Sequence, residues 1–135
     1  MISDYGDEFI PVRKTLLSCG CDFFIPCDLE MEPDRWYTID LGIHLEEGDL
    51  KQHQFLMIVP RSSTGMKHGL RLRNTVGIID ADYRDSIKAS IAVDIPHTYH
   101  RGDRILQGIV LEWSNLGGVR VENYKRTGGI GSTGA

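Results

Sequence analysis

Apolar side chains recur at every second position through much of this chain. Ile39, Leu41, Ile43 and Leu45 alternate with Asp40, Gly42 and His44, which is the period of a strand with one face buried. Ile87, Ala89, Ile91, Val93 and Ile95 repeat the pattern. Phe55-Leu56-Met57-Ile58-Val59 is apolar without alternation and reads as a fully buried strand that delivers Pro60 at its end. Turn clusters separate these runs: Glu46-Glu47-Gly48-Asp49, His100-Arg101-Gly102-Asp103 and Asn115-Leu116-Gly117-Gly118. Only Ser62 to His68 has room for a short helix, with Ser62 or Ser63 available as its cap. Many short strands joined by short turns predict an all-β barrel or jelly roll. No internal repeat is present, and from Thr127 to Ala135 the chain becomes a glycine-rich tail with too little apolar surface to order itself.

Composition narrows the class. A chain of 135 residues, 41% hydrophobic and 25% charged, has the size and apolar content of one globular domain with a real core. Its 15 Lys and Arg against 19 Asp and Glu give a net charge of -4, which argues against a broad basic nucleic-acid footprint and makes any phosphate site local. The start, Met1-Ile2-Ser3-Asp4-Tyr5, lacks a basic segment followed by an apolar run, and no long apolar stretch occurs. Neither secretion nor a membrane partner is expected, and the expected compartment is cytoplasmic. Cys19, Cys21 and Cys27 crowd together with no histidine nearby, a poor match to zinc-ligand spacing, and their odd number disfavours a disulfide framework. They read as reduced, partly buried thiols.

Candidate chemistry concentrates in a few segments. Arg61-Ser62-Ser63-Thr64-Gly65 offers a guanidinium fork, three hydroxyls and a possible helix N-terminus, which together suit an anionic oxygen cluster. An N-cap beside a solvated arginine is the competing reading. Lys67 and His68 are equally compatible with plain surface residues. Farther on, the apolar Val76-Gly77-Ile78-Ile79 ends on Asp80, with Asp82 two residues later. In a strand both carboxylates face one side, able to hold a water or a cation, and Tyr83 turns to the other; acidic residues capping a hairpin are the alternative. Asp80, closing an apolar run, is expected to be less solvated than Asp82, and a carboxylate within reach of a water can act as general base. Asp103-Arg104-Ile105-Leu106-Gln107 is by itself a turn entering a strand. The tail Gly128-Gly129-Ile130-Gly131-Ser132-Thr133-Gly134 is superficially a nucleotide-binding loop, yet no lysine follows its last glycine and no residues remain for the helix that a Walker loop requires.

Taken in order, Pro60 to Gly69, Asn74 to Arg84, Gly102 to Gln107 and Gly128 to Gly134 resemble the motif series of the trimeric dUTPase family, enzymes that hydrolyse dUTP to dUMP and pyrophosphate. Cys19-Gly20-Cys21-Asp22-Phe23 occupies the place of the family's weak first motif, Ala-Gly-x-Asp-Leu, so the resemblance covers residues 19 to 134. It implies an all-β fold, a β-clip or distorted jelly-roll barrel with one short helix over residues 1–124, followed by a flexible glycine-rich arm over 125–135. It further implies a homotrimer with three sites at subunit interfaces. In that scheme Asp80 activates the attacking water, Tyr83 packs on the deoxyribose, and the hairpin starting at Asn74 reads uracil through backbone groups around Gly77 and Ile79. Arg61, Ser62, Ser63 and Gln107 become phosphate contacts. The arm crosses to a neighbouring subunit and closes over the nucleotide with Arg126, Ile130, Gly131, Ser132 and Thr133. The implied cofactor is Mg²⁺, held largely by the triphosphate, with Asp22 as a structural or outer-sphere residue.

The chain departs from the family pattern in four places. Ile130 replaces the phenylalanine that stacks on uracil, and Lys125-Arg126-Thr127 precede the glycine pair, which leaves open whether Lys125 or Arg126 meets the γ-phosphate. Asp85 stands where glycine is common after Tyr-Arg, and a positive φ there would suit aspartate better than a branched residue. Cysteines replace the small and variable residues of the first motif. Two alternatives bear on function. A dCTP deaminase of the same fold carries an arginine and a catalytic glutamate where this chain has Met66 and Ser90. A non-catalytic nucleotide-binding regulator would have no need of Asp80.

Overall fold

The structure, a computed structural model, describes residues 1–126. Ile130, Gly131, Ser132 and Thr133 of the arm lie outside the described residues. The strands are short, and all their pairings are antiparallel. The largest sheet sets β2 (Gly20–Phe24), β11 (Arg104–Glu112), β6 (Gln54–Pro60) and β8 (Gly77–Asp80) side by side in that order. A second sheet orders β4 (Tyr37–Asp40), β9 (Lys88–Ala92) and β7 (Arg71–Leu72). Two ribbons complete the fold: β1 (Ile2–Ser3) with β5 (Ile43–His44), and β3 (Leu29–Met31) with β10 (His97–Tyr99). One α-helix, α1 (Ser62–His68), lies where the sequence predicts it, and Asp7–Phe9 adds a single 3-10 turn. No helix among the described residues is long and apolar enough to cross a membrane.

Alternation identifies the core faces. Ile39, Leu41, Ile43 and Leu45 are all buried, as are Ile87, Ala89, Ile91 and Val93, and together they meet Phe23, Ile25, Ile105 and Leu106 in one cluster. The first run is nevertheless two strands. Gly42 takes φ 68 and its N–H donates to the Asp40 carboxylate, so the chain bends there and serves two sheets with one hydrophobic face. The second run stops short, because Ile95 lies in solvent beyond the strand.

β6 corrects a second expectation. Leu56 and Ile58 are buried but Phe55, Met57 and Val59 are only partly so, and a strand hydrogen-bonded on both edges is here covered on one face alone. On the neighbouring β11, Ile109 and Leu111, opposite Met57 and Phe55, are likewise part-buried and exposed. Lack of alternation in this run therefore marks an apolar outer face, not burial on both sides.

The helix cap also differs from the sequence reading. Arg61 is the N-cap, with extended backbone and no side-chain capping bond from Ser62 or Ser63. Thr64 does the anchoring: its hydroxyl lies 3.0 Å from the Arg61 carbonyl and 3.1 Å from that of Ile105, welding α1 to β11. Cys19, Cys21 and Cys27 are unpaired, Cys21 half-buried and the other two exposed.

Candidate active site

One group of predicted residues gathers where β2, β11 and the start of α1 meet. Register places Asp22 opposite Gln107, and Gln107 opposite Val59. Asp22 is the hub: its Oδ1 lies 3.2 Å from Arg61 Nε and its Oδ2 accepts from Arg104 Nη1 at 3.0 Å. Arg61 also donates to the Arg104 carbonyl at 3.1 Å, and Gln107 Nε2 to the Pro60 carbonyl at 3.2 Å. Lys14, Ser18, Asp22, Arg61, Ser62 and Gln107 surround a recess of about 360 Å³. Lys14 and Arg61 in its lining, with Arg104 bound to Asp22 beside it, outnumber its one carboxylate, which leaves a local cationic surplus on an acidic protein. Ser63 sits half-buried in the first turn of α1, outside the lining of this recess.

Arg104, Lys14 and Gly20 belong to this cradle without having been singled out from the sequence. In a regular strand residues 104 and 107 point to opposite faces. A bulge between Arg104 and Leu106 shifts the register against β2 and brings both side chains to Asp22's side. Gly20 has a steric reason: a Cβ there would collide with Gln107 Oε1, so only glycine lets that side chain lie in place.

The second group gathers around the tight turn from β7 to β8, two strands that belong to different sheets; the segment expected as a hairpin is thus a crossover turn. Asn74, Gly77, Ile79, Asp80 and Tyr83 line a recess of about 520 Å³, joined by Thr38, Arg73, Lys88, Ser90 and Arg126. Thr75, within that turn, holds φ 69, a costly conformation for a β-branched residue, and the Val76 N–H donates to the Asn74 carbonyl at 2.8 Å. Tyr83 is buried, its hydroxyl donating to the Ser86 carbonyl at 3.0 Å, and burial pushes its pKa up. Asp34 and Thr75 are the only non-glycine residues with positive φ among those described, so Asp85 imposes no glycine-like backbone.

The two carboxylates do not form a strand pair. β8 ends at Asp80, and the following turn swings Asp82 alongside it. Their side chains are 59% and 61% exposed, so burial does not set Asp80 apart; Ile78, expected to shield it, is itself more than half exposed. Position does set it apart, because Asp80 lines the larger recess and Asp82 does not. One guanidinium spans both: Arg126 Nη2 donates to Asp80 Oδ2 at 2.6 Å and Nε to Asp82 Oδ1 at 2.9 Å, with the cation 5.6 Å from the centre of the Tyr83 ring. The hydrogen bond to Asp82 is the main influence holding Arg126 in its charged form.

Register also measures the gap between the two groups. Asp80 stands opposite Phe55, four positions along β6 from the level of Gln107 and Asp22, on the far edge of the four-stranded sheet. At about 3.3 Å per residue and 4.8 Å per strand, Asp80 and Asp22 are separated by on the order of 20 Å. Among the described residues none lines both recesses. Neither recess is a metal cage: no three His, Cys, Asp or Glu side chains among the described residues converge on a point, and both oxygens of Asp22 already face arginines. Such donors suit an ion that arrives with its own oxygen ligands and waters.

Comparison with known proteins gives one consistent answer. Residues 8–134 match the dUTPase family model. The deoxyuridine 5'-triphosphate nucleotidohydrolase of Coxiella burnetii is 36% identical over 138 residues, spanning 96% of this chain and 90% of that protein. Among solved structures, the dUTPase of Streptococcus mutans superposes with a TM-score of 0.74 at 27% identity, over 87% of this chain and 96% of that one. A mutant dUTPase from the Staphylococcus aureus phage phi11, whose structure concerns the coordination of a structural Mg(II) ion, has the same fold at 17% identity, with a TM-score of 0.69 over 89% of this chain and 94% of its own.

Proposed function

This chain belongs to the dUTPase family and hydrolyses dUTP, and from that premise we propose that each of its active sites is assembled from the cradle of one subunit and the hairpin of another. The separation of the two recesses by on the order of 20 Å carries this reading, since a general base must come within hydrogen-bond reach of the water it activates. Three copies in a ring supply three such sites, with heterologous contacts that close by symmetry. The half-exposed apolar outer face of β6 and β11 supports burial between copies.

In this scheme Arg61, Ser62 and Gln107 hold phosphate oxygens, Ser63 adds its hydroxyl once the helix start meets a triphosphate, and Asp22 keeps Arg61 and Arg104 in place. Asp80 of the partner hairpin takes a proton from a water as that water attacks the α-phosphorus, and pyrophosphate leaves. The backbone at Gly77 and Ile79, with Asn74, pairs with uracil. Tyr83 packs against the deoxyribose and leaves no volume for a 2′-hydroxyl. The arm, residues 125–135, closes over the nucleotide and excludes water. dUTPases generally use Mg²⁺; here the ion would be held largely by the triphosphate, where it would neutralise charge developing on the phosphate oxygens, and Asp22, whose two oxygens hold Arg61 and Arg104, would serve it as a structural or outer-sphere residue. Three unpaired thiols suit a reducing, cytoplasmic compartment.

The test is to incubate the protein and Mg²⁺ with each nucleotide separately and to follow monophosphate and pyrophosphate. dUTP alone should turn over well, by about 10⁴ over dCTP, the discrimination available to a site that hydrogen-bonds its ligand. Comparable turnover of dCTP would remove the uracil assignment, efficient hydrolysis of UTP the role of Tyr83, and an active monomer the shared site.

A further inference from the structure

The arm residue Arg126 resembles a phosphate contact by its position in the sequence, but its geometry points to another task. It forks onto Asp80 and Asp82 at 2.6 and 2.9 Å while lying against the Tyr83 ring. Its own side chain is 15% exposed, whereas the two carboxylates are 59% and 61% exposed. A shielded, triply held cation thus restrains two solvated acids that would otherwise repel each other and rotate in water. Only Oδ2 of Asp80 is engaged; Oδ1 receives no bond from the described residues. We propose that Arg126 is a positioning residue for hydrolysis, orienting Asp80 through Oδ2 so that Oδ1 is presented to the attacking water, with Asp82 as the anchor that fixes the guanidinium. This rests on the assignment of Asp80 as the base.

Charges around the fork support that division of labour. Arg73, just past β7, and Lys88 of β9 line the same recess with Tyr83 and supply cationic charge there, so Arg126 is not needed as a generic counter-ion. Behind it Gln52, Gln54 and Trp113 line a separate hollow of about 440 Å³ that Asp80, Asp82 and Arg126 border in common. The guanidinium therefore stands between the two hollows: Asp80 borders both, and its anchor Asp82 only the rear one. Lys125, next in the chain and exposed, is left as the arm's cation for the γ-phosphate.

The full-length enzyme should be compared with Arg126→Ala, Arg126→Lys and Asp82→Asn by kcat and KM with dUTP, with and without added guanidinium ion. Misplacing the base predicts a fall in kcat of about 10- to 100-fold in Arg126→Ala with KM changed less than about threefold. Added guanidinium ion should restore part of kcat, and Asp82→Asn should cost less than Arg126→Ala and add nothing to it, as for groups acting in one chain of contacts. A raised KM at unchanged kcat would make Arg126 a phosphate contact and overturn the proposal. Asp80→Asn, measured in parallel, separates the two ideas: near-normal turnover there removes the base assignment itself, whereas an inactive Asp80→Asn beside an unaffected Arg126→Ala removes only the positioning role. Should Arg126→Ala fail to fold, Arg126→Lys and Asp82→Asn give the same readouts.

Discussion

The cradle and the hairpin recess solve opposite electrostatic problems. In the cradle one shielded carboxylate, Asp22, disciplines two arginines whose positions are set by sheet register and a bulge. At the hairpin one shielded arginine disciplines two carboxylates that stand mostly in water. The first arrangement keeps positive charge preorganised for an anion without letting the cations collapse onto solvent. The second keeps a carboxylate solvated and reactive while fixing its direction. The physical consequence is an asymmetry in stability: a charge pair with little exposure is costly to break from one side, whereas an exposed pair contributes little. Changes in the cradle should therefore register in folding as well as in binding, and changes at the hairpin carboxylates chiefly in turnover.

The largest expected effect lies at the hairpin. Asp80→Asn preserves size and removes the proton acceptor, so turnover should fall by about 10² to 10⁴ while binding of a non-hydrolysable dUTP analogue and the melting temperature stay near wild type. A large drop in melting temperature would mean that the carboxylate is structural and erase the contrast. Asp22→Asn should show the reverse emphasis. It leaves Arg61 and Arg104 facing each other without a counter-charge and should lower stability by about 1 to 3 kcal/mol in denaturant unfolding, the lower part of the range for buried pairs because the Arg104 side chain is 37% exposed. Unchanged stability would show that the cradle is not held together by its aspartate.

Smaller effects sharpen the comparison. Gly20→Ala forces Gln107 out of its place, and KM for dUTP should rise by about tenfold, the scale of one lost hydrogen bond to a charged group, at little cost in stability. Thr75→Asn replaces a β-branched residue at φ 69 with one that tolerates the left-handed region, and should stabilise the protein by about 1 kcal/mol in the same unfolding assay. The smallest effect is pH-dependent. His68, at the end of α1, stacks on His97 at 3.8 Å and meets the Tyr99 hydroxyl at 3.2 Å. Burial first, then the neighbouring His97 and Lys67, push its pKa down. A folded pKa below the unfolded value means a contribution that is present above about 6.5 and lost as pH falls through the lower folded value. Unfolding measured across that window should show wild-type stability declining on acidification more steeply than that of His68→Gln.

Much of the fold could be read from residue order, and the failures share a cause. Period two located the core residues of β4, β5 and β9, because alternate side chains of a half-buried strand must be apolar. It could not reveal the bend at Gly42, since Leu41 and Ile43 are buried on either side of it and the alternation runs on unbroken. Nor could it separate an apolar outer face from a second core in β6. At the site, the motif segments placed Arg61, Ser62 and Gln107 in one recess and Asn74, Gly77, Ile79, Asp80 and Tyr83 in the other. The partnership of Arg104 with Asp22 depends on a bulge and that of Arg126 with Asp80 on a return of the chain from 46 residues away. Both are facts of tertiary geometry that no local spacing records.

The division of the site between copies can be tested most directly by complementation. Asp80→Asn chains, with an intact cradle, and Arg61→Gln chains, with an intact hairpin, should each be inactive alone. Co-expressed with different tags and purified through both, they should regain activity, because in a ring one chain's cradle meets another's hairpin. In a mixed trimer purified through both tags one of the three sites combines two intact halves, so turnover per chain should approach about a third of wild type. Mixed oligomers as inactive as their parents would contradict the shared site and return both halves to a single chain.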